Sequence, residues 1–348
     1  MKHIRPDIII LTFNMSISSD FSNCSGLCSP ATIFVYDDPQ FYFLVSVQLS
    51  IVNVNIVYLT VKFSSIFLLN LHSYANSLQV FSCVLSHQFL GNSGTSMIEA
   101  ALNWSYVSLS QVIFRNTTVA NFSFSDQIID VYSNYSPFSL ILDSSNFYGV
   151  NVGSNIYCFG ISGNRTTAGY ISLTNMNFQT GGDSLGFLYA EKNFVITIQN
   201  LNYGFANGNS KIGLITLIDS NILLILNSYF YSVSGDVIWL RSEQNNTVLI
   251  QNSNLINFGY AHLGHNNNYS IYNSILNITY YAIEADQSNE IILEQSQITV
   301  IGPSNFITMN SLNLLMLKNL QFSFFYNNVY LVFNSGHPNG IILSNHGY

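Results

Sequence analysis

Charge is the scarcest property of this sequence. Nine Lys and Arg with seventeen Asp and Glu amount to 7% of 348 residues, where a soluble globular domain carries roughly 25%. With so few cations and a formal net charge of −8, no basic surface is available to neutralise a run of phosphates, and a nucleic-acid partner is not expected. Clean apolar runs are missing too. The two longest, Phe41 to Val61 and Ile212 to Leu226, are broken by Gln48, Asn53, Asn55 and Asp219, short of the roughly 20 apolar residues of a membrane-spanning helix. No transmembrane segment is expected within this chain. No stretch carries a convincing apolar stripe at helical spacing either.

The remainder is 48% hydrophobic and 14% aromatic, which excludes a disordered chain. Its polar half is neutral, with 44 Asn among abundant Ser, Thr and Gln. Ten N-x-S/T sequons occur, at Asn14, Asn23, Asn103, Asn116, Asn121, Asn134, Asn164, Asn245, Asn268 and Asn277. About seven or eight would arise by chance from such a composition, so glycosylation is permitted without being demanded. The N-terminus is a poor secretory signal: Lys2, His3 and Arg5 are followed by Pro6 and Asp7 and then by only a short apolar run. Of the four cysteines, Cys24 and Cys28 form a CxxxC that fits a small disulfide loop, Cys83 stands alone, and Cys158 in an apolar run reads as an inert core thiol.

A repeat organises the chain. A short apolar alternation ends in a polar residue, usually Asn, and three residues later an apolar or aromatic residue follows. The clearest copies are Ile171-Ser-Leu-Thr-Asn175-Met-Asn-Phe178, Ile196-Thr-Ile-Gln-Asn200-Leu-Asn-Tyr203, Leu223-Leu-Ile-Leu-Asn227-Ser-Tyr-Phe230 and Val248-Leu-Ile-Gln-Asn252-Ser-Asn-Leu255. Asn273 with Leu276, Gln295 with Ile298 and Asn319 with Phe322 continue it, and degenerate copies stand upstream at Ser144, Ser110, Ser82 and Thr60. These anchors recur every 21 to 34 residues. A second apolar run recurs after the anchors, as in Leu185-Gly-Phe-Leu-Tyr189, Val237-Ile-Trp-Leu240, Phe306-Ile-Thr-Met309 and Val329-Tyr-Leu-Val-Phe333. Each repeat therefore reads as two or three short strands separated by turns. One repeat cannot close a core, whereas stacked repeats bury a continuous apolar column.

This pattern resembles the right-handed parallel β-helix of the pectin-lyase-like superfamily, over roughly residue 51 to the C-terminus. The resemblance implies an all-β solenoid of about eleven coils, two to three short strands per coil, forming a rod roughly 50 Å long at the usual strand spacing of about 4.8 Å. It further implies that Asn175, Asn200, Asn227, Asn252, Asn273 and Asn319 stack as a ladder, each amide bonding the next coil, since an amide offers both a donor and an acceptor. Phe178, Tyr203, Phe230, Leu255, Leu276 and Phe322 would stack inside. Residues 1–50 fit the period poorly and read as a cap or the remnant of another module; residues 51–348 read as the β-helix. Ile341 to Tyr348 starts one more copy and stops, so the chain is expected to be a C-terminally truncated fragment of a longer repeat protein, with any membrane span beyond it.

Chemistry-bearing groups are sparse. Asp37-Asp38 is the only adjacent acidic pair and precedes Pro39, which reads as a turn. Glu284, Asp286, Glu290 and Glu294 are the densest acidic group and read as a solvated loop before a cation site. His262 and His265 lack the helical HExxH frame of a zinc pair. Arg115, Arg165 and Arg241 look isolated, with no acidic cluster at the same place in the adjacent coil. No nucleophile motif or phosphate loop is found, and no catalytic, metal-binding or cofactor-binding residue is assigned.

The expected function is a non-catalytic extracellular or cell-surface solenoid acting as a structural, spacer or adhesive rod, glycosylated at such sites as Asn103, Asn116, Asn121, Asn134, Asn164, Asn245, Asn268 and Asn277. The composition, rich in Asn, Ile, Phe, Tyr and Ser, is also similar to that of large β-helix surface proteins of protists. Carbohydrate or other surface proteins are the expected partners. The alternative is a carbohydrate-binding or polysaccharide-degrading β-helix, using exposed aromatics such as Trp104, Tyr231, Tyr280 and Tyr281.

Overall fold

The computed structural model describes the strand segments between residues 8 and 132, then residues 139–150, 157–162, 169–180, 186–205, 213–232, 238–279, 282–301, 306–324, 331–333 and 339–344. Every described element is a β-strand, and the strands pair in parallel into three kinds of sheet, A, B and C, visited in that order by each coil. The chain divides into two compact units, Met1–Gly182 and Asp183–Tyr348.

In the first unit, sheet A runs Ile8–Phe13, Ser46–Val52, Asn76–Phe81, Leu109–Arg115, Ser139–Asp143 and Gly169–Thr174. Sheet B begins with Ser16–Asp20 and ends with Asn177–Thr180; sheet C begins with Ala31–Tyr36 and ends with Tyr157–Ser162. Alternation explains the packing. In Gly169–Thr174 the residues Ile171 and Leu173 are buried while Tyr170 is exposed, because successive side chains leave opposite faces of a strand. Parallel, in-register pairing then sets each inward residue above its counterpart: Leu140 on Ile171, Leu142 on Leu173, Phe147 on Phe178. The Phe147 and Phe178 rings stack at 5.1 Å, and Phe159 from sheet C meets both edge-on at 6.1 and 5.8 Å.

The second unit repeats the plan. Its sheet A runs Phe194–Gln199, Ile222–Leu226, Thr247–Gln251, Asn268–Tyr272, Glu290–Glu294, Leu314–Lys318 and Gly340–Ser344. Its sheet C includes Leu240–Gln244, Ala261–His265, Ile283–Gln287 and Ile307–Ser311, and its sheet B includes Tyr229–Ser232, Asn254–Phe258, Ile275–Ile278 and Gln297–Val300. Of the residues three beyond the anchors, Phe178, Tyr203, Phe230, Leu255 and Leu276 enter the core at 0–1% exposure, whereas Phe322 is only half-buried.

Three corners join the sheets, and they differ in kind. Two residues separate every sheet A strand from the sheet B strand that follows, as between Thr247–Gln251 and Asn254–Phe258. In the second unit two residues also join sheet C to sheet A across most coils, as between Ala261–His265 and Asn268–Tyr272. The B-to-C connection of the second unit varies instead, from two residues after Asn254–Phe258 to nine after Asn202–Phe205, and in the first unit it reaches eleven after Val84–Ser86.

Several expectations need correction. Six sheet B strands in each unit make twelve coils, not eleven. The extra coil lies where the period looked poorest: Ile8–Phe13, Ser16–Asp20 and Ala31–Tyr36 take the first places in the three sheets. The degenerate anchors Thr60 and Ser110 are not at the A–B corner. They lie inside the strands Asn55–Thr60 and Leu109–Arg115, and the two-residue gaps fall at 53–54 and 116–117.

Candidate functional site

From Ser144 onward, each A–B corner among the described residues begins with a residue in the left-handed region. Asn175, Asn200, Asn227, Asn252, Asn273 and Asn319 all have φ between 44° and 53°, as do Ser144 and Gln295 at 51°. Asn dominates because its short polar side chain tolerates this conformation best after Gly. Turn geometry thus accounts for the anchor better than burial does: the Asn and Gln anchors are exposed and Ser144 is half-buried. A ladder of amides does run along part of the corner. Asn252 Nδ2 donates to Asn227 Oδ1 at 3.2 Å and Asn273 Nδ2 to Asn252 Oδ1 at 2.8 Å. Asn175 departs from that pattern and donates at 3.1 Å to Asp143, which also accepts from Thr174 and Ser144. Burial pushes the Asp143 carboxyl up, but those hydrogen bonds and the Arg115 charge leave it below the ordinary carboxylate value. The buried partner at this corner is the next residue: Ser228, Ser253, Ser274 and Ser296. The backbone N–H of Ser228 donates to Ser253 Oγ, that of Ser253 to Ser274 Oγ and that of Ser274 to Ser296 Oγ, at 3.1 to 3.2 Å.

A second ladder, buried from Asn221 to Asn313 and half-buried at its last member Asn339, occupies the C–A corner of the second unit. There the backbone N–H of Asn221 donates to Asn246 Oδ1, Asn246 to Asn267, Asn267 to Asn289, Asn289 to Asn313 and Asn313 to Asn339, all at 2.8 to 3.0 Å. Each Nδ2 in turn reaches a sheet C carbonyl, as Asn289 does to Gly264 at 2.8 Å. The reading from sequence missed this ladder. Its signal was present, because Asn221, Asn246, Asn267, Asn289 and Asn313 each stand six residues before an anchor.

Sheet C of the second unit carries a mixed charged patch that includes a histidine. Register places Arg241, His262, Glu284 and Thr308 side by side on four successive coils. Arg241 Nε donates to Glu243 Oε1. His262 lies between two carboxylates, with Nδ1 3.4 Å from Glu284 Oε2 and Nε2 3.7 Å from Asp286 Oδ2. Asn310 Nδ2 donates to Asp286 Oδ1 at 2.9 Å. Gly264, two residues beyond His262, packs closely on the preceding coil, where a Cβ would stand 2.2 Å from the Glu243 carbonyl oxygen. Arg241 is therefore not isolated, contrary to expectation: its neighbours recur at 21 and 22 residues, the period of this region. The acidic group is split rather than joined, since Glu284 and Asp286 lie on sheet C but Glu290 and Glu294 on sheet A, where Lys318 Nζ meets Glu294 at 2.8 Å. His265 sits in register with Gln244 and Gln287 and forms no pair with His262. No group of three or more His, Cys, Asp or Glu is arranged to hold a metal ion among the described residues.

A groove of about 560 Å³ runs along the A–B corner of the same unit. Asn252, Asn273 and Gln295 form one wall; Asn254, Ile275 and Gln297, the first outward positions of sheet B, form the other. All of its polar lining is amide or hydroxyl.

Among the candidate glycosylation sites, Asn245 and Asn268 are exposed, whereas the Asn277 Oδ1 is buried without a hydrogen-bond partner. Asn103, Asn116, Asn121, Asn134 and Asn164 lie outside the described residues, as do Asp37, Asp38, Arg165, Trp104, Tyr280, Tyr281, Cys24, Cys28 and Cys83. Tyr231 is 38% exposed on sheet B. Cys158 is fully buried, and burial pushes its thiol far up. No described helix is long and apolar enough to cross a membrane.

No protein-family model and no curated protein matches this sequence. Among solved structures the chain is similar to Geobacillus virus E2 ORF18, at 12% identity and a TM-score of 0.35, over 86% of this chain and 54% of that one. The chain thus spans about half the length of that structure.

Proposed function

We propose that this chain is a non-catalytic β-solenoid serving as a structural, spacer or adhesive element outside the cell or on its surface. One observation carries the reading: the repeated polar residues are engaged in joining coil to coil, through the Asn221–Asn339 ladder at the C–A corner and the serine ladder at the A–B corner. Polar side chains recruited in that way build a scaffold rather than an active centre. Kinship to the pectin-lyase-like superfamily and to β-helix surface proteins of protists belongs to the same proposal, as does glycosylation at Asn245 and Asn268. The purified chain, incubated with pectate, alginate and glucans with and without calcium, is expected to release no oligosaccharide; release would overturn the reading.

The sheet C patch favours a second reading, a polysaccharide-degrading solenoid. A cation, an imidazole and two carboxylates on neighbouring coils supply a sugar-binding charge and acid/base groups. If this reading holds, His262→Ala abolishes product release from one of those polymers while leaving the β-rich circular dichroism spectrum unchanged.

A further inference from the structure

We propose that the amide-lined groove at the A–B corner of the second unit binds a neutral, hydroxyl-rich ligand, an oligosaccharide lying along the stack of coils. Its two walls run parallel. Asn252, Asn273 and Gln295 repeat once per coil on one side, and Asn254, Ile275 and Gln297 do so on the other. No lining residue carries a charge, so phosphate, carboxylate and cationic ligands find no counter-ion there. None can trade a proton near neutral pH, so the groove can hold a ligand without transforming it.

The chemistry of the walls selects the ligand class. In the ladder, Asn252 uses one Nδ2–H toward Asn227 and one Oδ1 lone pair toward Asn273. A primary amide has a second N–H and a second lone pair. Each rung thus offers a donor beside an acceptor, which matches the vicinal hydroxyls of a sugar. Apolar surface is present in the same row: Tyr229, in register with Asn254, is 41% exposed and Ile275 is 40% exposed. A sugar ring lays its C–H face on such groups while its hydroxyls reach the amides. The coils repeat at about 4.8 Å, so a linear glycan meets equivalent rungs in succession.

The test titrates the full chain with cellohexaose, laminarihexaose, mannohexaose and chitohexaose, with trigalacturonate as the anionic comparison, by calorimetry. One of the neutral hexasaccharides is expected to bind and to be recovered unchanged. Asn254→Leu with Gln297→Leu weakens that binding at least tenfold, with the circular dichroism spectrum and thermal midpoint preserved. Asn252→Gly, which keeps the turn conformation and removes the amide, weakens it in the same direction. Binding of none of the four, equal binding by the substituted chains, or preference for trigalacturonate overturns the assignment. The inference rests on the non-catalytic reading, and the outcomes separate the two: shortening of the bound sugar refutes both, whereas absence of binding removes the groove assignment alone.

Discussion

Asn267 brings one oxygen to two donors of Asn246: its Oδ1 accepts the Asn246 backbone N–H at 3.0 Å and the Asn246 Nδ2 at 3.3 Å. Both residues are buried, so neither donor has water to turn to. Replacing Asn267 by Leu leaves the Asn246 backbone N–H unsatisfied and Asn246 Nδ2 with only the Leu217 carbonyl, and it removes the partner of the Ser242 hydroxyl at 2.9 Å and of the Ser242 carbonyl at 3.2 Å. Each such group costs roughly 1–3 kcal/mol when orphaned. Asn267→Leu is expected to lower stability by about 3 kcal/mol in urea unfolding. Its exposed neighbour Asn266, at φ 55°, can become Gly at a cost within about 0.5 kcal/mol. Equal losses at the two positions would refute the division of labour between them.

The C–A corner has one ill-suited residue. Asn193, Ser220, Asn245, Asn266 and Ser288 take positive φ there, and so does Leu312 at 57°, with half its surface exposed. A branched apolar side chain pays about 1–2 kcal/mol in this conformation, more than Asn does. Leu312→Asn should therefore raise the unfolding midpoint, by about 1 kcal/mol in stability. A lower midpoint would show that Leu312 makes a contact worth more than its backbone strain.

These corners mark how far the sequence could be read. Alternation in stretches such as Val248 to Gln251 gave the strands and the Asn anchors gave the coil, while the left-handed conformation of those anchors emerges only from the structure. Two things stayed hidden. Asn221, Asn246 and Asn267 share the period of the anchors, but they precede the apolar run and look like any polar loop until the three sheets are closed. Arg241, His262 and Glu284 are 21 and 22 residues apart, which matters only once sheet C is known to stack in that register. In the first unit, Thr60 and Ser110 were chosen because an apolar residue follows three later, a criterion that many β-strands satisfy by chance.

Acid should probe the first unit through Asp143. Its carboxyl titrates below the ordinary value because Asn175, Thr174, Ser144 and Arg115 favour its charged form over the opposing effect of burial. A depressed folded-state value contributes stability that is present above the unfolded-state value of about 3.9 and is lost as pH falls through the folded one. Between pH 5 and about pH 2 the stability of the wild type should fall more steeply than that of Asp143→Asn. Parallel curves for the two proteins would contradict the assignment.

Cys158 should be silent. Its thiol is wholly buried and held protonated by desolvation, while only the thiolate attacks an alkylating agent. Iodoacetamide at pH 8, followed by peptide mass spectrometry, is expected to leave Cys158 unmodified in the native protein and to label it once urea unfolds the coil. Labelling without denaturant would show that the core around Phe159 opens.

The unequal corners have a consequence for how this sequence can change over time. A one-residue slip within a strand exchanges its inner and outer faces, so codons gained or lost at the two-residue corners would turn the repeat inside out. The B-to-C connection, with two residues in one coil and nine in another, absorbs such changes before the next strand begins. In the second unit, where most C–A corners are also held at two residues, new segments can be written along that one margin, coil by coil, while the rest of each repeat is inherited in phase.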